Sequence, residues 1–235
     1  QSDKVMLQQM MDEATVGCYG AALNFGGIMF TLFTAPNNSW CPFFFEDMKQ
    51  GNRENLREKA GNFLELFTVL SVGFVLLASE VYRYVYVSRD FWGSTMLIPI
   101  FVSSYYTNFL CTFPVNFEYY HKKTKVVSII TIVSSLINVG LNYLLILRIG
   151  MAGAAVATLI SHSLQLTLHY LYVRFALGGK EYPFPLKMWV GYAAVFAAVA
   201  VASVAADGLW LARWGLGAAV GLWELLRIRK RKVLI

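Results

Sequence analysis

The chain has 235 residues, of which 57% are hydrophobic and 15% aromatic, while only 14% are charged. Soluble domains carry about a quarter charged residues, so this composition excludes an ordinary soluble fold. The formal net charge of +6 is spread over short connectors between apolar runs. It is a topology signal and implies no nucleic-acid partner.

Residues 1–13 mix apolar and polar positions and suit the outer end of a helix whose beginning lies in a preceding segment; the chain starts at Gln1 and shows no signal-peptide pattern. Asp3 and Lys4 are read together at the outer end of that helix, as an exposed pair or the rim of a cavity. Residues 14–45 form a charge-free run interrupted by Pro36 and Pro42. The polar stretch 46–62 reads as a cytoplasmic connector, a short interfacial helix or loop, because Arg53/Arg57 and Glu54/Glu58 place like charges four apart and lend no pairing support to a helix. The run 63–87 carries Glu65, Glu80 and Arg83 near its ends. Four cleaner runs follow at 91–117, 126–147, 149–173 and 188–206, each long enough to supply the roughly 20 residues of a bilayer-spanning helix. The last run, 208–226, holds Arg213 and Glu224 near its edges. The reading is an all-α, polytopic transmembrane helix bundle of about seven membrane spans plus the end of a further one.

Most of the 20 basic residues fall on alternate connectors. Lys49, Arg53, Arg57 and Lys59 follow the first span, Lys122, Lys123 and Lys125 the third, and Arg174, Lys180 and Lys187 the fifth; Arg227, Arg229, Lys230, Arg231 and Lys232 begin a basic tail, 227–235. Basic residues accumulate on the cytoplasmic side of a membrane protein, which puts the carboxy-terminus there. Trp40, Trp92, Trp189, Trp210, Trp214 and Trp223 stand near span ends, where interfacial aromatics collect. Cys18, Cys41 and Cys111 have neither CxxC nor Cys/His spacing and read as small hydrophobic fillers.

Polar side chains inside apolar spans carry most of the functional information, since an amide or imidazole in hydrocarbon needs a partner or water. Asn138 and Asn142, one helical step apart, share a face extended by Thr131, Ser134 and Ser135. His162, Gln165 and His169 make a second stripe in the next helix. The pair of stripes either bonds between helices or lines a hydrophilic cavity. Two histidines seven residues apart with no third ligand do not make a metal site. Asn24, Asn108 and Asn116 are isolated polar residues. Gly217 and Gly221 form GxxxG in the last span, and Gly150, Gly153, Ala154 and Ala157 line the start of the fifth, as close helix packing requires. Pro36, Pro99 and Pro114 are candidate bends. There is no nucleophile elbow, HExxH, phosphate-cradling glycine loop or acidic cluster, so no enzyme and no cofactor is expected.

The stretch 137–161, INVGLNYLLILRIGMAGAAVATLIS, resembles the bacterial polysaccharide flippases of the O-antigen type, in which Asn-x-x-x-Asn-Tyr leads to a glycine turn and Gly-Ala-Ala-x-Ala-Thr. Four further stretches resemble the same family in order: Ser2-Asp3-Lys4 with Val16-Gly17-Cys18-Tyr19, Ala35-Pro36 followed by Pro42, 76–80 before an outer loop, and the connector EYYHKKTK at 118–125. The resemblance covers nearly the whole chain. It implies that residues 1–235 are the second of two lobes of about six helices each, preceded by an absent amino-terminal lobe. It further implies a multi-pass protein of the bacterial cytoplasmic membrane that moves undecaprenyl-diphosphate-linked oligosaccharide between leaflets by alternating access, with the lipid bilayer and the lipid-linked oligosaccharide as partners and a glycan polymerase or glycosyltransferases as neighbours. Asp3, Lys4, Asn24, Asn108, Asn138, Asn142, His162, Gln165 and His169 are the cavity candidates. The family's phosphate-binding cations have few counterparts here, leaving Lys4 or the preceding lobe to supply them. The competing readings are a multidrug or cation antiporter of the same superfamily, which would want a deep carboxylate, a membrane enzyme of envelope polysaccharide assembly, and a membrane scaffold. Glu65, Glu80, Glu118 and Glu224 are all read as near interfaces, which counts against the antiporter.

Overall fold

The computed structural model describes residues 2–86, 88–178, 181–205 and 208–231. Lys180, Lys232 and the tail 232–235 lie outside the described residues. The described chain is an all-helical bundle: α1 (Ser2–Met10), α2 (Glu13–Gly26), α3 (Ile28–Gln50), α4 (Arg53–Val85), a 3₁₀ helix (Arg89–Leu97), α5 (Ile98–Tyr120), α6 (Thr124–Ile149), α7 (Met151–Phe175), α8 (Leu186–Ala205) and α9 (Trp210–Arg231). Among the described residues six segments are long and apolar enough to cross a membrane: Glu13–Gln50, α4, Arg89–Tyr120, α6, α7 and α8. The seventh expected span is helical as α9 but is not among the six, because Arg213 and the charged residues of its last turns dilute its apolar character.

Three boundaries differ from the sequence reading. The first thirteen residues are not one helical end: α1 stops at Met10, and Asp12 starts α2 as its N-cap, its carboxylate accepting from the Thr15 amide at 2.8 Å and the Thr15 hydroxyl at 2.9 Å. Those two bonds hold the exposed Asp12 carboxyl below its ordinary range. The connector 46–62 is almost entirely helix, since α3 runs to Gln50 and α4 starts at Arg53. Gly51 makes the turn at φ +71°, a left-handed value that glycine adopts without strain. Here Asp47 is buried and accepts from Asn55 Nδ2 at 3.1 Å and from Lys59 Nζ at 3.0 Å, a tertiary anchor that outweighs the like-charge spacing. Finally, Pro36 and Pro42 lie inside α3 without ending it; the break falls at Gly27. Proline is tolerated where neighbouring helices satisfy the local polar groups, and Asn116 of α5 donates to Asn37 at 3.1 Å beside Pro36.

Packing beside the break is close. A Cβ on Gly26 would lie 2.8 Å from Cβ of Phe101, so α2 meets α5 at a distance only glycine allows. Aromatic rings fill the interior between α3, α4, α5 and α8. Phe67 and Phe109 are 4.3 Å apart between centroids, and Tyr106 stacks on Phe196 at 4.3 Å. Phe184, from the segment between α7 and α8, is buried against Phe44, Phe113 and Trp40. By contrast α6 packs mainly on α7 and leaves Ile129, Ile132, Leu136, Leu144 and Leu147 exposed. Surfaces of this kind need lipid or another apolar partner to cover them.

The connectors after α3, α5 and α7 gather at one end of the bundle, where Arg57 Nε donates to the Pro183 carbonyl at 2.7 Å and Phe45 meets Tyr120. This is the basic end. The turn between α1 and α2 lies at the opposite end with the α6–α7 turn, since a Cβ on Gly150 would be 3.3 Å from the Met11 side chain.

Candidate functional site

A groove of about 790 Å³ opens beside the break between α2 and α3, lined by Lys4 and Val5 of α1, Leu23, Asn24, Gly27, Ile28, Phe30 and Thr31 of α2 and α3, and Tyr105 of α5. Its geometry begins with α1. The helix turns back along α2, and the Tyr19 hydroxyl donates to the buried Asp3 carboxylate, which fixes the rotation of α1. Lys4 therefore faces α2, its ammonium lying 3.5 Å from where a Cβ of Gly20 would be. Gly27 does the same for the other wall, the Tyr105 hydroxyl lying 3.6 Å from its Cβ position.

Depth is the informative property. The expectation that Asp3 and Lys4 stand at the outer end of their helix is incorrect. Lys4 lies some two turns of helix, about 12 Å at 1.5 Å per residue, inward from the Met11–Asp12 turn. Among the described residues no carboxylate pairs with its ammonium. The groove thus offers one cation, the Asn24 amide and the Thr31 and Tyr105 hydroxyls against a wall that includes Phe30, Leu23, Ile28 and Val5. Chemically this suits an anion with hydroxyl-bearing or amide-bearing neighbours and an apolar portion.

Of the nine cavity candidates, Lys4 and Asn24 come together in the groove and Asp3 lies buried behind it. Asn108 is half-buried on α5 and does not line the groove. The remaining five are engaged between or along helices. Asn138 Nδ2 donates to Ser161 Oγ at 3.1 Å and Asn142 Nδ2 to Asn138 Oδ1 at 3.0 Å, while Gln165 Nε2 donates to Thr131 Oγ1 at 3.3 Å. His162 Nδ1 lies 3.0 Å from the Ser104 carbonyl, and His169 Nδ1 lies 2.9 Å from both oxygens of Glu118. The supposed single stripe on α7 is therefore divided, with both histidines facing α5 and Gln165 facing α6. Interhelical bonding predicts that Asn138→Leu lowers the folded yield, since Ser161 and Asn142 both lose a partner. A protein that keeps its wild-type yield in size-exclusion chromatography would count against a packing role.

Sequence reasoning missed Gly20, Gly27, Thr31 and Tyr105. Gly20, Asn24, Gly27 and Thr31 recur at steps of four, three and four, the period of one helix face. The sequence hides this stripe because Pro36 and Pro42 suggest a stronger interruption than the glycines do. Glu118 was also missed. It is buried with its side chain fully covered, as is that of His169, and Glu65 is buried too, so these carboxylates stand inside the protein although Glu118 lies in the last turn of α5. Among the described residues no group of three or more His, Cys, Asp or Glu side chains could hold a metal ion.

The fold and its apolar exterior define a multi-pass membrane protein. The chain is 27% identical over 141 residues to an uncharacterized membrane protein of Haemophilus influenzae, an alignment covering 60% of this chain and 35% of that protein, so the chain spans about a third of its relative's length. No family model matches the chain, and no solved structure matches it.

Proposed function

We propose that this chain is the second lobe of a transporter that moves lipid-linked oligosaccharide, of the undecaprenyl-diphosphate type, across the bacterial cytoplasmic membrane for polysaccharide or lipopolysaccharide synthesis. The observation that carries the proposal is Lys4: a half-buried ammonium about two helical turns from the Met11–Asp12 turn, without a carboxylate partner among the described residues, in a groove that also presents an amide, two hydroxyls and an apolar wall. A half-buried ammonium with no carboxylate beside it among the described residues gains from an anion, and a phosphate oxygen is a natural one. The sugar head would use Asn24, Thr31 and Tyr105, while the lipid tail stays in the bilayer. Alternating access would be provided by a preceding lobe facing this groove. In this reading the basic end and the carboxy-terminus are cytoplasmic, as the charge asymmetry of the connectors supports. The activity is transport rather than catalysis, and polymerase or glycosyltransferases would act on either side of it.

The test is complementation of surface glycan export by the full-length protein. Lys4→Ala is expected to lower export at least about tenfold, the loss of one charge-assisted phosphate contact of 1.5 kcal/mol or more, with Lys4→Arg retaining most of it. Undiminished export by Lys4→Ala at wild-type protein levels overturns the assignment. One observation favours a second reading, a cation antiporter: Glu118 is a fully buried carboxylate. Drug susceptibility that changes with Glu118→Gln while glycan export does not would select it.

A further inference from the structure

Beneath the basic end lies a polar cluster that the groove does not use. Glu118, in the last turn of α5, and His169 of α7 have side chains with no exposure, and Nδ1 lies 2.9 Å from each carboxylate oxygen. His169 Nε2 is buried and makes no hydrogen bond. Over the pair folds the segment Tyr182-Pro183-Phe184. The Tyr182 ring meets Phe117 and Trp189, Phe184 is 1% exposed against Phe113, and the Pro183 carbonyl is held by Arg57 at 2.7 Å. The Tyr182 hydroxyl is buried without a partner. Burial pushes this phenol well above its ordinary value, with Tyr170, Cys111 and Glu118 adding to the effect. The titratable groups that act on Glu118 are Cys111 of α5 and Tyr182 of the covering segment, and Tyr170 of α7 packs on Tyr182 behind them. His121, beyond the end of α5, is the nearby second base; it packs on Phe117 and its Nε2 is likewise buried without a partner.

Charge counting gives the consequence. With one proton shared between the carboxylate and Nδ1 and none on Nε2, the pair carries a net negative charge in an apolar interior and at the negative end of the α5 dipole, where an anion is disfavoured. Uptake of one proton at Nε2 makes the pair net neutral, as a carboxylate and an imidazolium. The seated segment is therefore compatible with the protonated pair, and loss of that proton leaves a charge that only water entering from the basic end can stabilise.

We infer that Glu118 and His169 form a proton-binding site whose occupancy keeps the Tyr182–Phe184 plug seated, so that proton release opens the basic end of the bundle. The inference does not depend on the identity of the cargo. Its reporter is already in the chain: Cys111 is buried next to the pair, whereas Cys41 is only half-buried elsewhere. In the full chain in lipid nanodiscs, N-ethylmaleimide labelling of Cys111 relative to Cys41, read by peptide mass spectrometry, should rise at least about tenfold from about pH 6 to about pH 9 in wild type and stay flat in Glu118→Gln, which is neutral at every pH. A flat wild-type ratio overturns the inference, as does an equal rise in Glu118→Gln. Should Glu118→Gln not fold, His169→Gln decides: without the imidazole the pH profile of the labelling ratio must change, and a profile identical to wild type overturns the proposal.

Discussion

Gly153→Ala is expected to prevent stable folding, although it adds a single methyl group to the start of a 25-residue helix. The added Cβ would lie 2.3 Å from the Leu145 carbonyl oxygen, 2.4 Å from its carbon and 2.8 Å from the Ile146 nitrogen. All three are backbone atoms of α6, so no side chain can rotate away and the two helices must separate. Overpacking where neighbours yield costs about 1–3 kcal/mol; here the backbone must move, so the cost should be about 3 kcal/mol or more, a large share of the stability of a domain. The turn before it magnifies the effect. Gly150 has φ +59° and ψ −140°, close to a region open to glycine alone, and its carbonyl accepts from the Gly153 amide at 2.9 Å. Gly140→Ala, where a Cβ meets nothing within 4 Å, is the control and should be neutral or stabilising by up to about 1 kcal/mol. Thermal melts in detergent, with folded yield from size-exclusion chromatography, separate the two; a Gly153→Ala protein melting with wild type would refute the close approach.

This hairpin also shows how far the sequence could be read. The runs 126–147 and 149–173 become α6 and α7 with a break at Gly150, because a charge-free run bounded by a glycine leaves the chain few alternatives in lipid. The same logic locates α5 and α8. It fails where contacts between helices decide: beside the Gly27 break Gly26 lies against Phe101 of α5, and the helical continuation through residues 46–62 is anchored by Asp47 of α3 meeting Asn55 and Lys59 of α4. For the groove, Lys4 and Asn24 were legible as polar residues in apolar surroundings, but the depth of Lys4 was not, since it depends on α1 turning back to present Asp3 to Tyr19. Glu118 looked interfacial because Lys122 and Lys123 follow it closely; its burial comes from α7 and the Tyr182–Phe184 segment, which no local pattern announces. The GxxxG of α9 divides in the same way: a Cβ on Gly217 would meet Leu76 and Leu77 at 3.8 Å, while one on Gly221 would meet nothing within 4 Å.

Removing either partner of the Arg213–Glu80 pair should release α9 from the bundle, and removing both should largely restore it. Arg213 Nη2 donates to Oε1 and Oε2 of Glu80 at 2.6 and 2.5 Å, Nη1 reaches the Ser203 carbonyl at 3.4 Å, and Trp214 Nε1 adds a contact to Glu80 at 3.3 Å. Arg213 is 3% exposed, whereas Leu209, Leu211 and Leu216 on the same element or just before it are exposed. α9 also packs on α4 along its apolar face, where Gly217 lies on Leu76 and Leu77 and Val220 reaches the core, so an interface remains when both charges are gone. Breaking a buried pair on one side leaves an uncompensated charge and costs about 3–5 kcal/mol, while replacing both members by apolar residues is close to neutral. Arg213→Leu and Glu80→Leu should therefore each make α9 sensitive to protease within residues 210–221, and the double variant should regain protection despite having lost every charge involved. If the double variant is as sensitive as the singles, the pair is contributing net attraction rather than mutual neutralisation, and α9 is held by the ionic bond itself.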